Sequence, residues 1–190
     1  MAIAWQSLTL KQFLELPETK PALEYVDGMV RQKVAPKLPH SRLQSKLAEG
    51  FNRFAEPRKL AVAFTELRTS YSGRSYVPDA TVYAWARVPV DASGILLEDC
   101  FEPPDIAIEI LSPGQNATEL ARRCGWYVEH GVRIALLIEP RRQRVRDFRP
   151  GRPARTLGVA DSIDFTEILP GFHWPVGDLF ALLRLGSTAP

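Results

Sequence analysis

Two acids stand where strand preference would not put them. Asp79 follows Pro78 inside the run 76–82, YVPDATV, and both a proline and an acid go against a strand pattern. Glu109 lies midway along 106–111, IAIEIL, a run otherwise apolar on both faces and so expected to be covered on both sides. A buried carboxylate without a partner costs several kcal/mol or takes up a proton, so Glu109 needs a cation, a metal ion or an opening to a cleft. If neighbouring strands aimed Asp79 and Glu109 at one point they would repel, and a divalent cation would relieve the repulsion. Mg²⁺ takes oxygen ligands, commonly one or two carboxylates plus waters and phosphate oxygens. It can then activate water and stabilise charge developing at phosphorus. The plainer readings are an edge carboxylate facing water at Asp79 and a buried ion pair with an arginine at Glu109.

The elements that must position these acids can be read from periodicity. Thr9-Leu10-Lys11-Gln12 has the form of a capping box, and Leu10, Phe13 and Leu14 follow at helical spacing before Pro17. Asp27-Gly28 is a two-residue turn signal between Tyr25-Val26 and Met29-Val30, which predicts a hairpin. Residues 41–54 form an amphipathic helix, with Leu43, Leu47, Phe51 and Phe54 on one stripe. Strands follow at 61–67, 76–83 and 106–111. A second amphipathic helix runs over 117–130 with Leu120, Cys124, Tyr127 and Val128 on one face. It is closed by Gly131 and followed by the buried strand 134–138, IALLI. Residues 145–149 can return as a hairpin. The order gives an α/β fold, a mixed sheet with a helix on each side.

The length of 190 residues predicts one domain over 1–190, large enough to bury a core without disulfides or structural zinc. No run of about 18 apolar residues exists to span a membrane. The stretch 1–6 has no basic region leading into an apolar core, so it does not read as a secretory signal. Cys100 and Cys124 show no zinc spacing, and a reducing, cytoplasmic setting fits them best. The formal net charge of +2 says little about partners, but its distribution says more. Arg141, Arg142 and Arg144 open the stripe RRQRVRDFRPGRPAR over 141–155, opposed only by Asp147. Such a stripe can contact nucleic-acid phosphates, or it can keep an edge hairpin soluble.

Taken together, LEYVDGMV, PHSRLQSKLAEGF, VPDATVY, PPDIAIEILSPG and ELARRCGWYVEHGVRIALLIEP resemble the Uma-type restriction endonuclease family of the PD-(D/E)xK nuclease superfamily. The resemblance covers about residues 8–149. It implies a restriction-endonuclease-like core of αβββαβ order with N-terminal hairpin additions. It also implies a Mg²⁺- or Mn²⁺-dependent endonuclease acting on DNA, and a homodimer if both strands are cut. Residue by residue, Asp79 matches the PD aspartate and Glu109 the (D/E) position, the two metal ligands. The superfamily lysine then falls at Leu111, which cannot act. Members of this branch carry a lysine on the next helix, in a pattern similar to SPSxxxxDLxxKxxxY, and that position here is Arg123. Arginine keeps the charge but cannot serve as a base. Arg123 is therefore the third expected catalytic residue, unless it simply pairs with Glu119 on the helix surface. Glu66 matches an upstream acid of the branch, His40 a histidine before the first long helix, and Tyr127 a family tyrosine whose place on the apolar face favours core packing. Asp105 reads as a structural residue at strand entry. The alternative is a degenerate nuclease fold that binds nucleic acid or a protein partner without cutting.

Overall fold

Thr9 caps the first element as its sequence requires. Its hydroxyl accepts from the Gln12 amide, while the Gln12 side chain accepts from the Thr9 amide at 2.9 Å. The computed structural model of the protein describes residues 8–186; the N-terminal stretch read above as no secretory signal lies outside them. In chain order the elements are α1 (Leu10–Leu14), β1 (Leu23–Val26), β2 (Met29–Gln32), α2 (Leu38–Ala55), β3 (Ala61–Thr65), β4 (Thr69–Tyr71), β5 (Arg74–Tyr76) and β6 (Ala80–Ala84). There follow β7 (Ile106–Ile110), α3 (Ala117–Glu129), β8 (Ile134–Glu139), β9 (Arg144–Arg149), β10 (Arg152–Leu157), β11 (Ser162–Asp164), β12 (His173–Pro175) and α4 (Val176–Ala181).

The main sheet has the order β10-β9-β8-β7-β6-β3. β3, β6 and β7 form an antiparallel meander, α3 carries the chain over to β8, and β8 lies parallel to β7. That is the mixed sheet flanked by helices, in αβββαβ order, that the sequence predicts. β9 and β10 extend it as antiparallel returns.

Both layers follow from period-2 alternation in the two central strands. Ile106, Ile108, Ile110, Ile134, Leu136 and Ile138 pack with Leu43, Leu47 and Phe51 of α2 and with the tail residues Phe165, Leu169 and Leu179. Ala107, Ala135 and Leu137 face the other way, onto Leu120, Cys124 and Tyr127 of α3. Glu109 shares that second face by parity. On α2, Gly50 lets the Trp174 ring come so close that a Cβ there would run into it.

Two sequence boundaries need correcting. The strand predicted over 76–83 is two strands in different sheets, interrupted at Val77-Pro78-Asp79. Pro78 has no N–H to give to a ladder, so the chain changes sheets there. The strand predicted over 61–67 stops at Thr65, because Glu66 takes a left-handed conformation at φ 52°. Asp105 is structural, as expected. It accepts from the Ala84 amide at 2.7 Å and pairs with Arg87 at 2.8 Å at the entry to β7.

A second, four-stranded sheet of order β2-β1-β5-β4 joins the N-terminal hairpin to the chain before β6, through Tyr25 opposite Ser75. This join brings the hairpin to the acids.

Candidate active site

Ala80 faces Ile108 across β6 and β7. One step further along that register, Asp79 comes opposite Glu109 on the α3 side. The interruption at Pro78 thus leaves Asp79 at the mouth of the ladder, where its side chain accepts from the Ile110 amide at 2.7 Å through Oδ2. Its backbone carbonyl accepts from Gln44 of α2 at 2.9 Å. The other carboxylate oxygen, Oδ1, meets Lys33 Nζ at 2.5 Å and lies 3.1 Å from His40 Nε2. The histidine contact is within ion-pair range but is not aligned as a hydrogen bond. His40 Nδ1 is 2.9 Å from Ser112 Oγ, just beyond β7. His40 is therefore part of the cluster and not a helix residue without contact to it.

Glu109 is 2% exposed, and its Oε1 receives the Tyr127 hydroxyl at 2.7 Å and Arg123 Nη1 at 3.3 Å. Tyr127 is thus both core and site: its ring is fully buried while its hydroxyl fixes an acid. Arg123 does not pair with Glu119, which goes instead to Arg31 at 2.7 Å. It turns inward and makes a two-pronged contact with Glu24 of β1, at 2.9 and 2.6 Å. Glu24 also accepts from the Val77 amide at 3.0 Å and so ties down the interruption that sets Asp79.

Glu24 and Lys33 are the residues that sequence reasoning missed. Lys33 follows β2 directly, and Glu24 alternates along β1. Neither looks chemical until the hairpin docks on β5. A faint signal was present in Glu24, an acid between apolar neighbours in a short strand that comes to lie buried at 2% exposure. The ammonium in the cluster thus comes from Lys33, after the N-terminal hairpin, and not from position 111 or 123. Leu111 packs with the apolar residues beneath α3.

The electrostatics follow from burial and charge count. Burial pushes the Glu109 carboxyl up to about 7; Arg123 and Lys33 pull it down, but burial, helped by the charges of Asp79 and Glu24, prevails. Burial also works to raise Asp79, yet contact with His40 and the charge of Lys33 hold it below the ordinary value. Burial disfavours the Lys33 ammonium, but Asp79 and then Glu109 raise it above its usual range, so it stays charged at neutral pH. Arg123 is raised likewise, Glu109 offsetting its burial.

Three carboxylates (Glu24, Asp79, Glu109) thus face two fixed cations (Lys33, Arg123), leaving one negative charge in excess when all are ionised. Among the described residues no three His, Cys, Asp or Glu side chains are grouped to cage a metal on their own. Two carboxylates with an excess negative charge nevertheless suit Mg²⁺, which keeps most of its waters. Asp79 and Glu109 are the residues that would hold it.

Lys33 also lines the wall of an open cleft of about 1080 Å³, with Asn52, Phe64, Glu66, Arg68 and Val77. Glu66 stands on that wall, exposed. Among the described residues no ion pair or side-chain hydrogen bond joins its carboxylate to the cluster, although its amide reaches the Asp79 carbonyl at 3.4 Å. In the arginine stripe, Arg142 and Arg144 bind Glu139 at 3.1 and 3.0 Å, while Arg141 is exposed at the turn after β8.

Comparison with known proteins gives a family match and similar solved structures. The family profile described as "Uma2: Putative restriction endonuclease" matches residues 10–177. The crystal structure of "a putative nuclease belonging to DUF820 from Anabaena variabilis ATCC 29413" superposes with a TM-score of 0.89 at 34% identity, covering 93% of this chain and 99% of that one. No curated protein matches.

Proposed function

The chain belongs to the Uma2 restriction endonuclease family, and on that premise we propose that it is a metal-dependent endonuclease hydrolysing DNA phosphodiester bonds. The observation that carries this reading is the placing of two buried acids, Asp79 and Glu109, opposite one another on adjoining strands, with Asp79 paired to the Lys33 ammonium on the wall of an open cleft. A structural ion pair alone would not require two acids from adjoining strands plus a third behind them.

When bound at Asp79 and Glu109, Mg²⁺ or Mn²⁺ supplies Lewis-acid charge and water activation. The chain's own residues do the rest. Lys33 stays protonated, so it acts as a fixed positive charge toward a phosphate in the cleft and toward negative charge developing at phosphorus. It does not act as a base. Tyr127 and Arg123 hold Glu109 in one orientation, and Glu24 holds Arg123. Ser112 orients His40 toward Asp79. Cutting both strands of a duplex calls for two copies, so the acting species is read as a homodimer, which sedimentation of the protein on duplex DNA would test.

The experiment is nicking of supercoiled plasmid in Mg²⁺ or Mn²⁺. Wild type is expected to nick, with Glu109→Gln and Lys33→Met at least about a hundred-fold slower. Equal nicking by all three would mean contamination or a site elsewhere. One observation favours a second reading: Arg123 already occupies Glu109, as in a binder that has retired its metal site. DNA binding without nicking in either metal would favour that reading.

A further inference from the structure

β7 and β8 are parallel neighbours joined through α3, so both deliver their carboxyl ends to one edge of the main sheet. In open α/β sheets that edge is where ligands bind. Glu109 and Ser112 stand at the end of β7, and Glu139 closes β8 before Arg141 and Arg142. Ile110 is level with Ile138, so the two strand ends are flush. Between them lies a second cleft of about 390 Å³, lined by Ser112, Gly114, Asn116, Glu139, Arg141 and Arg142. Its Ser112 wall is the same residue that holds His40.

The arginines of the 141–155 stripe are not equivalent here. Arg149 is committed to Asp147 at 3.0 Å, and Arg146 lies over the Phe148 ring. Arg152 and Arg155 belong to β10, two strands away from β8. Arg141 and Arg142 alone of the seven line this cleft. Arg142 is held there by Glu139, a carboxylate only 1% exposed, while most of the Arg142 side chain, 62%, remains open to solvent. A guanidinium fixed by a buried acid loses less freedom on meeting an anion. With Arg144 also on Glu139, two arginines share a single carboxylate while Arg141 stands exposed on the same wall, which is net positive.

We propose that this cleft holds the DNA backbone phosphate next to the one at the acid cluster, with Arg141 and Arg142 neutralising it. Neighbouring strands are about 4.8 Å apart, so a DNA strand crossing from the β7 end to the β8 end advances by roughly a nucleotide. The assignment rests on the nuclease reading for its substrate. It separates two contacting arginines from a stripe whose other members serve the fold or lie elsewhere.

The test is fluorescence anisotropy of a labelled 16-base-pair duplex, with Ca²⁺ replacing Mg²⁺, across a KCl series. The double variant Arg141→Ala/Arg142→Ala is expected to bind roughly ten-fold to a hundred-fold more weakly and to flatten the slope of log Kd against log salt by about 1 to 2. Arg152→Ala/Arg155→Ala is expected to keep the wild-type slope. An unchanged slope in the first variant, or equal flattening in both, overturns the assignment. If wild type nicks plasmid and the first variant keeps its slope, only the cleft assignment falls. If wild type never nicks but the first variant flattens the slope, the cleft stands and the cleavage reading falls. A wild type that binds no duplex removes both.

Discussion

Lys33 and Asp79, 46 residues apart in the chain, form a buried ion pair at 2.5 Å. The ammonium comes from the strand end of an N-terminal hairpin and the carboxylate from the interruption before β6. Removing one member of such a pair strands the other charge in a poorly solvated place. Lys33→Met is therefore expected to cost about 3–5 kcal/mol of stability by denaturant titration, and nicking is expected to fall even where the variant is fully folded. A folded Lys33→Met that nicks at the wild-type rate would reduce the pair to a structural role.

Arg123 reaches two acids with one guanidinium, Glu24 through both Nη atoms and Glu109 through one. A lysine offers a single point charge and cannot span both. Arg123→Lys is thus expected to lower the melting temperature and leave nicking no faster than wild type. Faster nicking would show that a helix lysine supplies something Lys33 does not.

Divalent ions should stabilise the native protein. At a hundred times its dissociation constant, Mn²⁺ is expected to add about 2.7 kcal/mol, several degrees of melting temperature for a chain of this size. Asp79→Ala and Glu109→Gln should lose the shift. A shift of equal size in Asp79→Ala would put the ion elsewhere.

In chelator, stability should fall as pH rises from about 4.5 to about 7. Burial lifts the Glu109 carboxyl to about 7 from an ordinary 4.5, so across that window the native state holds a proton the unfolded chain has released. The stabilisation is complete below the lower value and is lost on passing the upper, an effect of a few kcal/mol at most. Asp79, held below its ordinary value, acts in the opposite sense: its contribution is lost as pH drops below about 3.8. Melting temperature against pH in EDTA checks both, and Glu109→Gln should flatten the fall toward neutrality. A decline that survives in that variant would belong to another group.

Gly50→Ala tests the packing of α2. Helix propensity alone favours alanine by about 1 kcal/mol, but the new Cβ would meet the Trp174 ring. Overpacking of this kind costs about 1–3 kcal/mol, so the denaturation midpoint is expected to drop. A rise would mean that the ring gives way freely.

The frame of the fold was legible because its period was strong. The stripes of α2 and α3, the doubly apolar runs of β7 and β8 and the capping box at Thr9 each carry local physics. Asp79 and Glu109 stood out by breaking strand rules. Arg123 was legible only as a position; its inward turn depends on Glu24, which arrives from a different sheet. Nothing near Lys33 in sequence is unusual, and Glu24 offers only the faint signal of an acid between apolar neighbours. Their burial comes from the pairing of β1 with β5, a contact that local pattern does not encode. Tyr127 is legible chiefly as core because its ring is core, whereas its hydroxyl holds Glu109.

The tie between Glu24 and Arg123 spans 99 residues, and this sets an order of events during synthesis. A growing chain has the N-terminal hairpin long before α3 has emerged from the ribosome. Until then Glu24 has no guanidinium, Glu109 has no clasp, and any shortened product that stops early carries a disarmed centre. On the proposed nuclease reading, a cell is thereby spared active fragments, because competence arrives only when most of the polypeptide has been made.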